Sequence, residues 1–205
     1  MENLREHQFL MADGTVVTTE MFRTDLDYDS MRSSECRLVL LLKRILEQGD
    51  MVVGFETEWT SFIGSTEQVF LIKLCTQFGC LLIKLESNGS SNYHPLLKKF
   101  FANKDLVFAG VHIKKDVEKL EAYGYEIRNA VELSEMAAEL YERPCLRAYG
   151  VKDLVTAVLS RHLHTIPYQV DFQSGAETTL TKEKMEHATA VTYAIYKTAK
   201  ILLNL

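Results

Sequence analysis

The chain has 205 residues, of which 47% are hydrophobic and 25% charged, with 3 prolines and 10 glycines. These are the values of one folded domain that can fill a core, and they exclude a disordered or low-complexity protein. Lys and Arg number 23 against 28 Asp and Glu, for a net charge of −5; this excludes a generally basic nucleic-acid coat, because phosphate neutralisation needs clustered Lys and Arg. It leaves room for a local basic patch, or for an acidic metal site that meets nucleic acid through bound cations.

In chain order, residues 1–13 carry Glu2, Arg5, Glu6 and Asp13 and lack the apolar core of a signal peptide. Residues 14–25 read as a short strand and a polar turn, which makes 1–32 an N-terminal extension with a short edge strand and 33–205 the main domain. Within 33–48, Leu38, Leu40, Leu41, Leu42, Ile45 and Leu46 are spaced to cover one helical face, with Ser33 or Ser34 as N-cap and Gly49 as the stop. Three β-type runs follow at short spacing, Met51–Trp59, Gln68–Thr76 and Cys80–Glu86, which predicts an antiparallel meander.

The rhythm then alternates. Helices are expected at Tyr93–Phe101, Lys114–Tyr123, Ser134–Tyr141 (Ser134 capping its start), Gly150–Leu163 and Lys182–Leu203. Strands are expected at Leu106–Val111 and Ala130–Leu133, and a loop at 164–181. The pattern predicts an α/β domain with a mixed sheet of five to six strands, the first three antiparallel, flanked by helices. Cys36, Cys75, Cys80 and Cys145 form no CxxC pair and read as reduced thiols buried within elements. No apolar run reaches the ~18 residues of a membrane span. The expectation is a soluble intracellular protein of nucleus or cytoplasm, without a membrane partner.

The most informative segment is Val52-Val53-Gly54-Phe55-Glu56-Thr57-Glu58-Trp59. Strand alternation places Glu56 and Glu58 on one face, where two carboxylates repel unless a cation lies between them. Mg²⁺ and Mn²⁺ favour such oxygen ligands. On its own, an E-x-E at a strand end is more often solvated surface.

The run VVGFETEW, then VFLIKLCT, GVHIKKDVEKLEAYGYEI and finally LTKEKMEHATAVTYAIYKTAKIL, resembles the DEDDy 3′-5′ exonucleases. Within them it is most similar to the Werner-syndrome-exonuclease-like branch. The resemblance covers residues 50–203 in order and spacing, and it implies a ribonuclease-H-like exonuclease fold. In that family four carboxylates hold two divalent cations, Mg²⁺ or Mn²⁺, and a tyrosine orients the attacking water. Here Glu56 stands where the first motif has Asp, Glu58 and Trp59 are kept, and Asp116 matches the second motif. Val131-Glu132-Leu133 stands where a (V/I)-D-L commonly follows. In the third motif, His187 replaces the tyrosine and Val191 the fourth acid.

No Asp or Glu occurs from His187 to Leu205, so the helix offers no downstream substitute. Neutral imidazole is a poor partner for Mg²⁺, which weakens His187 as a replacement. The longer Glu56 side chain moves its carboxylate outward by ~1 Å, a misplacement that can cost ~10²-fold in rate. The resemblance therefore implies a remnant catalytic site of Glu56, Glu58, Asp116 and His187. Its metal ligands would be Glu56, Glu58 and Asp116, with Mg²⁺ or Mn²⁺ if any cofactor at all. Trp59, Lys114 and Lys115 are the candidate substrate contacts.

The reading is a divergent exonuclease-like domain with catalysis lost or strongly weakened. It would bind an RNA or DNA 3′ end, or serve as a protein-interaction scaffold. The alternative is an active metal-dependent 3′-5′ exonuclease using Glu56, Glu58 and Asp116.

Overall fold

Apolar runs with a period of two build the centre of the molecule, and amphipathic helices cover both of its faces. The computed structural model describes residues 5–23, 39–45, 47–60, 68–85, 95–159 and 180–205. Its strands are β1 (Arg5–Leu10), β2 (Val16–Arg23), β3 (Val52–Thr60), β4 (Gln68–Thr76), β5 (Gly79–Lys84), β6 (Val107–Gly110) and β7 (Ala130–Glu132). Helix α1 lies within residues 39–48. It is followed by α2 (Pro95–Phe101), α3 (Ile113–Glu121), α4 (Leu133–Leu140), α5 (Val151–Leu159) and α6 (Lys182–Leu202).

The sheet order is β1-β2-β5-β4-β3-β6-β7. The meander β3-β4-β5 is antiparallel, whereas β6 joins β3 and β7 joins β6 in parallel. The sheet is mixed, as the sequence predicts, but among the described residues it has seven strands rather than five or six. The difference lies before residue 33, where a hairpin of two strands replaces the single expected edge strand. Of these two strands β1 is the one at an edge, since β2 pairs in parallel with β5. Phe9, Met11, Val17 and Met21 enter the core, so burial of alternate residues holds this hairpin on the sheet.

Each face has its own core. On one side α6 packs with Leu133, Ala137, Leu154 and Val158 over Val52, Leu71 and Cys75. On the other, Ile45, Leu97, Phe100, Ile113 and Leu120 cover Val53, Phe55, Ile72 and Leu74. A bulge interrupts the β3–β4 register: Glu58 faces Leu71 and Trp59 faces Val69, leaving Phe70 as the extra residue. Leu71 and Val69 consequently serve opposite cores.

Helix α6 approaches β3 closely. A Cβ added to Gly54 would lie 2.8 Å from both the Thr192 carbonyl oxygen and the Tyr196 backbone nitrogen. Tyr196 Oη donates to Asp50 at 2.6 Å and Lys200 Nζ to the other Asp50 oxygen at 3.1 Å, tying the helix to the start of β3. Gly54→Ala should therefore force α6 outward and lower stability by about 1–3 kcal/mol, read by urea unfolding. An unchanged midpoint would mean that the helix has room to move.

Several local expectations change. The start of α4 is capped by Glu132, not Ser134: the Glu132 carboxylate accepts from the Ser134 backbone N–H, and Ser134 Oγ also donates to it. Cys75 and Cys80 are buried, but Cys145 is exposed, because the 3₁₀ turn Pro144–Ala148 buries only Leu146. Cys36, Ser33, Ser34 and most of the 164–181 loop lie outside the described residues. Among the described residues no helix is long and apolar enough to cross a membrane.

Candidate active site

Strand β6 pairs with only Val52–Gly54 of β3, so β3 runs on past it, and among the described residues no strand pairs with that edge from Phe55 onward. Along this stretch Phe55 and Thr57 face the α3 side, while Glu56 and Glu58 face the α6 side, as alternation requires. Glu56 and Glu58 are brought together by Lys73. This residue stands directly across from Glu56 in the β3–β4 register. Its Nζ forms an ion pair with Glu56 Oε2 and a hydrogen bond of 2.6 Å with Glu58 Oε1.

The Lys73 side chain is 1% exposed, against 23% for Glu56 and 27% for Glu58. Burial on its own would lower the pKa of the ammonium, but the charges of Glu56 and Glu58 outweigh it and hold Lys73 above its ordinary value. The sequence reading missed this residue. Its signal is a lone lysine in the apolar run Phe70-Leu71-Ile72-Lys73-Leu74-Cys75, which a buried strand tolerates only with a counter-charge.

Asp116 reaches the same strand from the other side. It sits in the first turn of α3, whose start is fixed by Glu132: its carboxylate accepts from the backbone N–H groups of His112 and Ile113, each at 2.9 Å. His112 takes a left-handed conformation, φ 57°, to make that turn. Thr57 Oγ1 then donates to Asp116 Oδ1 at 2.5 Å. Burial raises the Asp116 carboxyl to about 7; the Thr57 hydrogen bond opposes the rise, and the nearby Glu56 charge adds to it.

The third motif is placed on α6. Val191 is buried within the apolar cluster on that side, and His187, also buried, lies one turn before it. Tyr193 and Tyr196 are buried too, and Tyr193 Oη donates to Asp13 at 2.9 Å, so both serve to anchor α6.

Trp59 follows the acids and is half-buried, with Lys119 Nζ 3.3 Å from its ring centroid. Beside it is a shallow groove of about 450 Å³ lined by Trp59, Lys115, Glu118, Lys119, Ala122 and Tyr123. Lys115 and Trp59 thus share one groove, whereas Lys114 does not line it and pairs with Glu118 at 4.0 Å.

A family model described as a 3′-5′ exonuclease matches residues 33–205. The chain belongs to the 3′-5′ exonuclease family. Among known proteins it is 27% identical over 155 residues to RISC-INTERACTING CLEARING 3′-5′ EXORIBONUCLEASE 1 of Arabidopsis thaliana, covering 74% of this chain and 75% of that one. The catalytic core of RRP6 from Trypanosoma brucei superposes with a TM-score of 0.66 at 15% identity, over 89% of this chain and 46% of that one. Brucella melitensis NrnC with bound Mg²⁺ superposes with a TM-score of 0.59 at 15% identity, over 75% of this chain and 72% of that one. At these identities the two structures speak for the fold alone.

The residues of this exonuclease-family chain do not fit a divalent-metal pair. Metal oxygens would have to close on an ion at ~2.0–2.2 Å, but the space between Glu56 and Glu58 holds the Lys73 ammonium. Asp116 turns to Thr57, and Val191 offers no donor. Among the described residues no group of three or more His, Cys, Asp and Glu side chains is placed to hold a metal ion.

Proposed function

We propose that this 3′-5′ exonuclease-family chain has lost, or nearly lost, hydrolysis and works by holding the 3′ end of a single-stranded RNA. One observation carries the loss: Val191 lies in the apolar core where the motif requires its fourth acid, on a helix with no Asp or Glu from His187 onward. A valine side chain can neither bind a cation nor orient water, so two-ion activation of a water and stabilisation of the leaving oxygen have no support there.

The RNA is favoured by the Arabidopsis relative, whose name is that of an exoribonuclease, and NrnC has been solved bound to pGG. On this chain the groove beside Trp59 supplies the contacts. An indole face stacks on a base for ~1–3 kcal/mol, and Lys115 and Lys119 flank it. A base taking the ring face would turn Lys119 outward to a phosphate. Lys73 removes part of the acid pair's charge, which lowers the repulsion that a phosphate chain would otherwise meet.

The test uses a 5′-labelled RNA 12-mer with the full chain. With Mg²⁺ or Mn²⁺ no ladder of shortened products should appear. In EDTA at low salt, anisotropy should rise on binding, and Trp59→Ala and Lys115→Ala should each weaken it. A ladder that disappears in Glu58→Ala and in Asp116→Ala would establish an active nuclease and overturn the loss. Absence of binding at low salt would overturn the RNA role and leave a protein scaffold.

A further inference from the structure

We infer that Lys73 is a resident cation: its ammonium stands between Glu56 and Glu58 in place of a divalent ion and closes this site to Mg²⁺ and Mn²⁺. The inference rests on the reading of lost hydrolysis and deepens it, because it assigns the loss to an added residue as well as to the missing acid at Val191.

The argument is one of position and charge. Glu56 and Glu58 project from the same face of β3, and like carboxylates so placed need a positive charge between them. Lys73 supplies it from the facing strand, in register with Glu56 and in contact with both acids. Its side chain is buried, so the charge is held by the sheet and is not a mobile surface group. A lysine tethered by its own backbone cannot be diluted away, whereas a free divalent ion must displace it and leave an ammonium buried without its counter-charges. The acids consequently remain ordered and partly neutralised with no ion present. Restoring aspartate at 56 and 191 would not by itself reopen the site, because neither change moves Lys73. The lysine acts as a positioning residue for the two acids, not as a catalytic one.

The test measures Mn²⁺ uptake by electron paramagnetic resonance of the free ion, with the full chain as wild type, Lys73→Met and Lys73→Gln. Wild type should take up no stoichiometric Mn²⁺, and its melting temperature should be the same in EDTA and in Mn²⁺. Lys73→Met should take up one equivalent where wild type takes up none, and Mn²⁺ should raise its melting temperature. If Lys73→Met does not fold in EDTA, Lys73→Gln, which is neutral but keeps an N–H donor near the acids, should fold and show the same gain. Should neither variant fold, the wild-type titration decides alone.

Stoichiometric Mn²⁺ uptake by wild type that is lost in Glu58→Gln would overturn the resident cation. So would folded Lys73 variants that take up none. Mn²⁺ uptake by a wild type that cuts no RNA would sink this inference and leave the loss of hydrolysis standing. RNA cleavage in EDTA would do the reverse.

Discussion

Lys73→Met should lower the unfolding free energy by about 3 kcal/mol, the lower end of the ~3–5 kcal/mol seen when one partner of a buried ion pair is removed. The lower end applies because Glu56 and Glu58 keep 23% and 27% of their side-chain exposure and can recruit water, while Lys73 is 1% exposed. Removing the ammonium leaves two like charges side by side on β3. Removing those charges as well, in Lys73→Met with Glu56→Gln and Glu58→Gln, should recover most of the loss, since amides tolerate one another and still reach solvent. Urea unfolding at neutral pH and fixed ionic strength measures both. A single-variant loss below about 1 kcal/mol, the worth of an exposed ion pair, would mean that the strand does not depend on this triad. A triple variant no more stable than the single one would place the cost in lost packing instead.

Asp116→Asn should stabilise the protein at pH 8 and do little near pH 4. The folded carboxyl titrates at about 7 against an ordinary value of 3.8, chiefly because it is buried. Between those two values the folded state binds more protons than the unfolded chain. Stability therefore falls as pH rises through that window and stays low above it. The full shift corresponds to roughly 4 kcal/mol as an upper figure. Asparagine has no charge to desolvate, and its Oδ1 still accepts the hydrogen bond that Thr57 Oγ1 donates to Asp116. The difference between variant and wild type, taken from urea unfolding at pH 4 and pH 8, isolates this group from all other titrating residues. An equal difference at the two pH values would show that Asp116 does not carry the shifted titration.

Both effects arise where two levels of information meet. The strands β3, β4 and β5 are legible as runs of apolar and β-branched residues because a strand shows its two faces every second residue. The same alternation puts Glu56 and Glu58 on one side without any structure. Asp116 and Val191 are legible for a different reason: the resemblance to the exonuclease motifs implies that each stands at a motif position in a helix. That residue 191 is a valine, without a metal-binding atom, needed no coordinates.

Other features depend on which elements meet. Glu132 stood in the sequence as one residue of Val131-Glu132-Leu133, yet its carboxylate holds the start of α3, twenty positions back along the chain, as well as that of α4. The strand Arg5–Leu10 was hidden because Arg5-Glu6-His7-Gln8 is polar; only Val16–Arg23 beside it, and the core that takes Phe9, make it part of the sheet. Cys145 read as buried within an element and is exposed, because the 3₁₀ turn that carries it buries only Leu146.

By itself the chain of net charge −5 determined a mixed α/β domain and an acidic pair at a strand end. Those follow from local periodicity and spacing. Only the tertiary structure decided what answers the acidic charge, because a strand register is set between segments and not within one. The bulge at Phe70 and the pairing of Glu56 with Lys73 bring the ammonium to the carboxylates. A register shifted by one residue would have turned Lys73 to the opposite core.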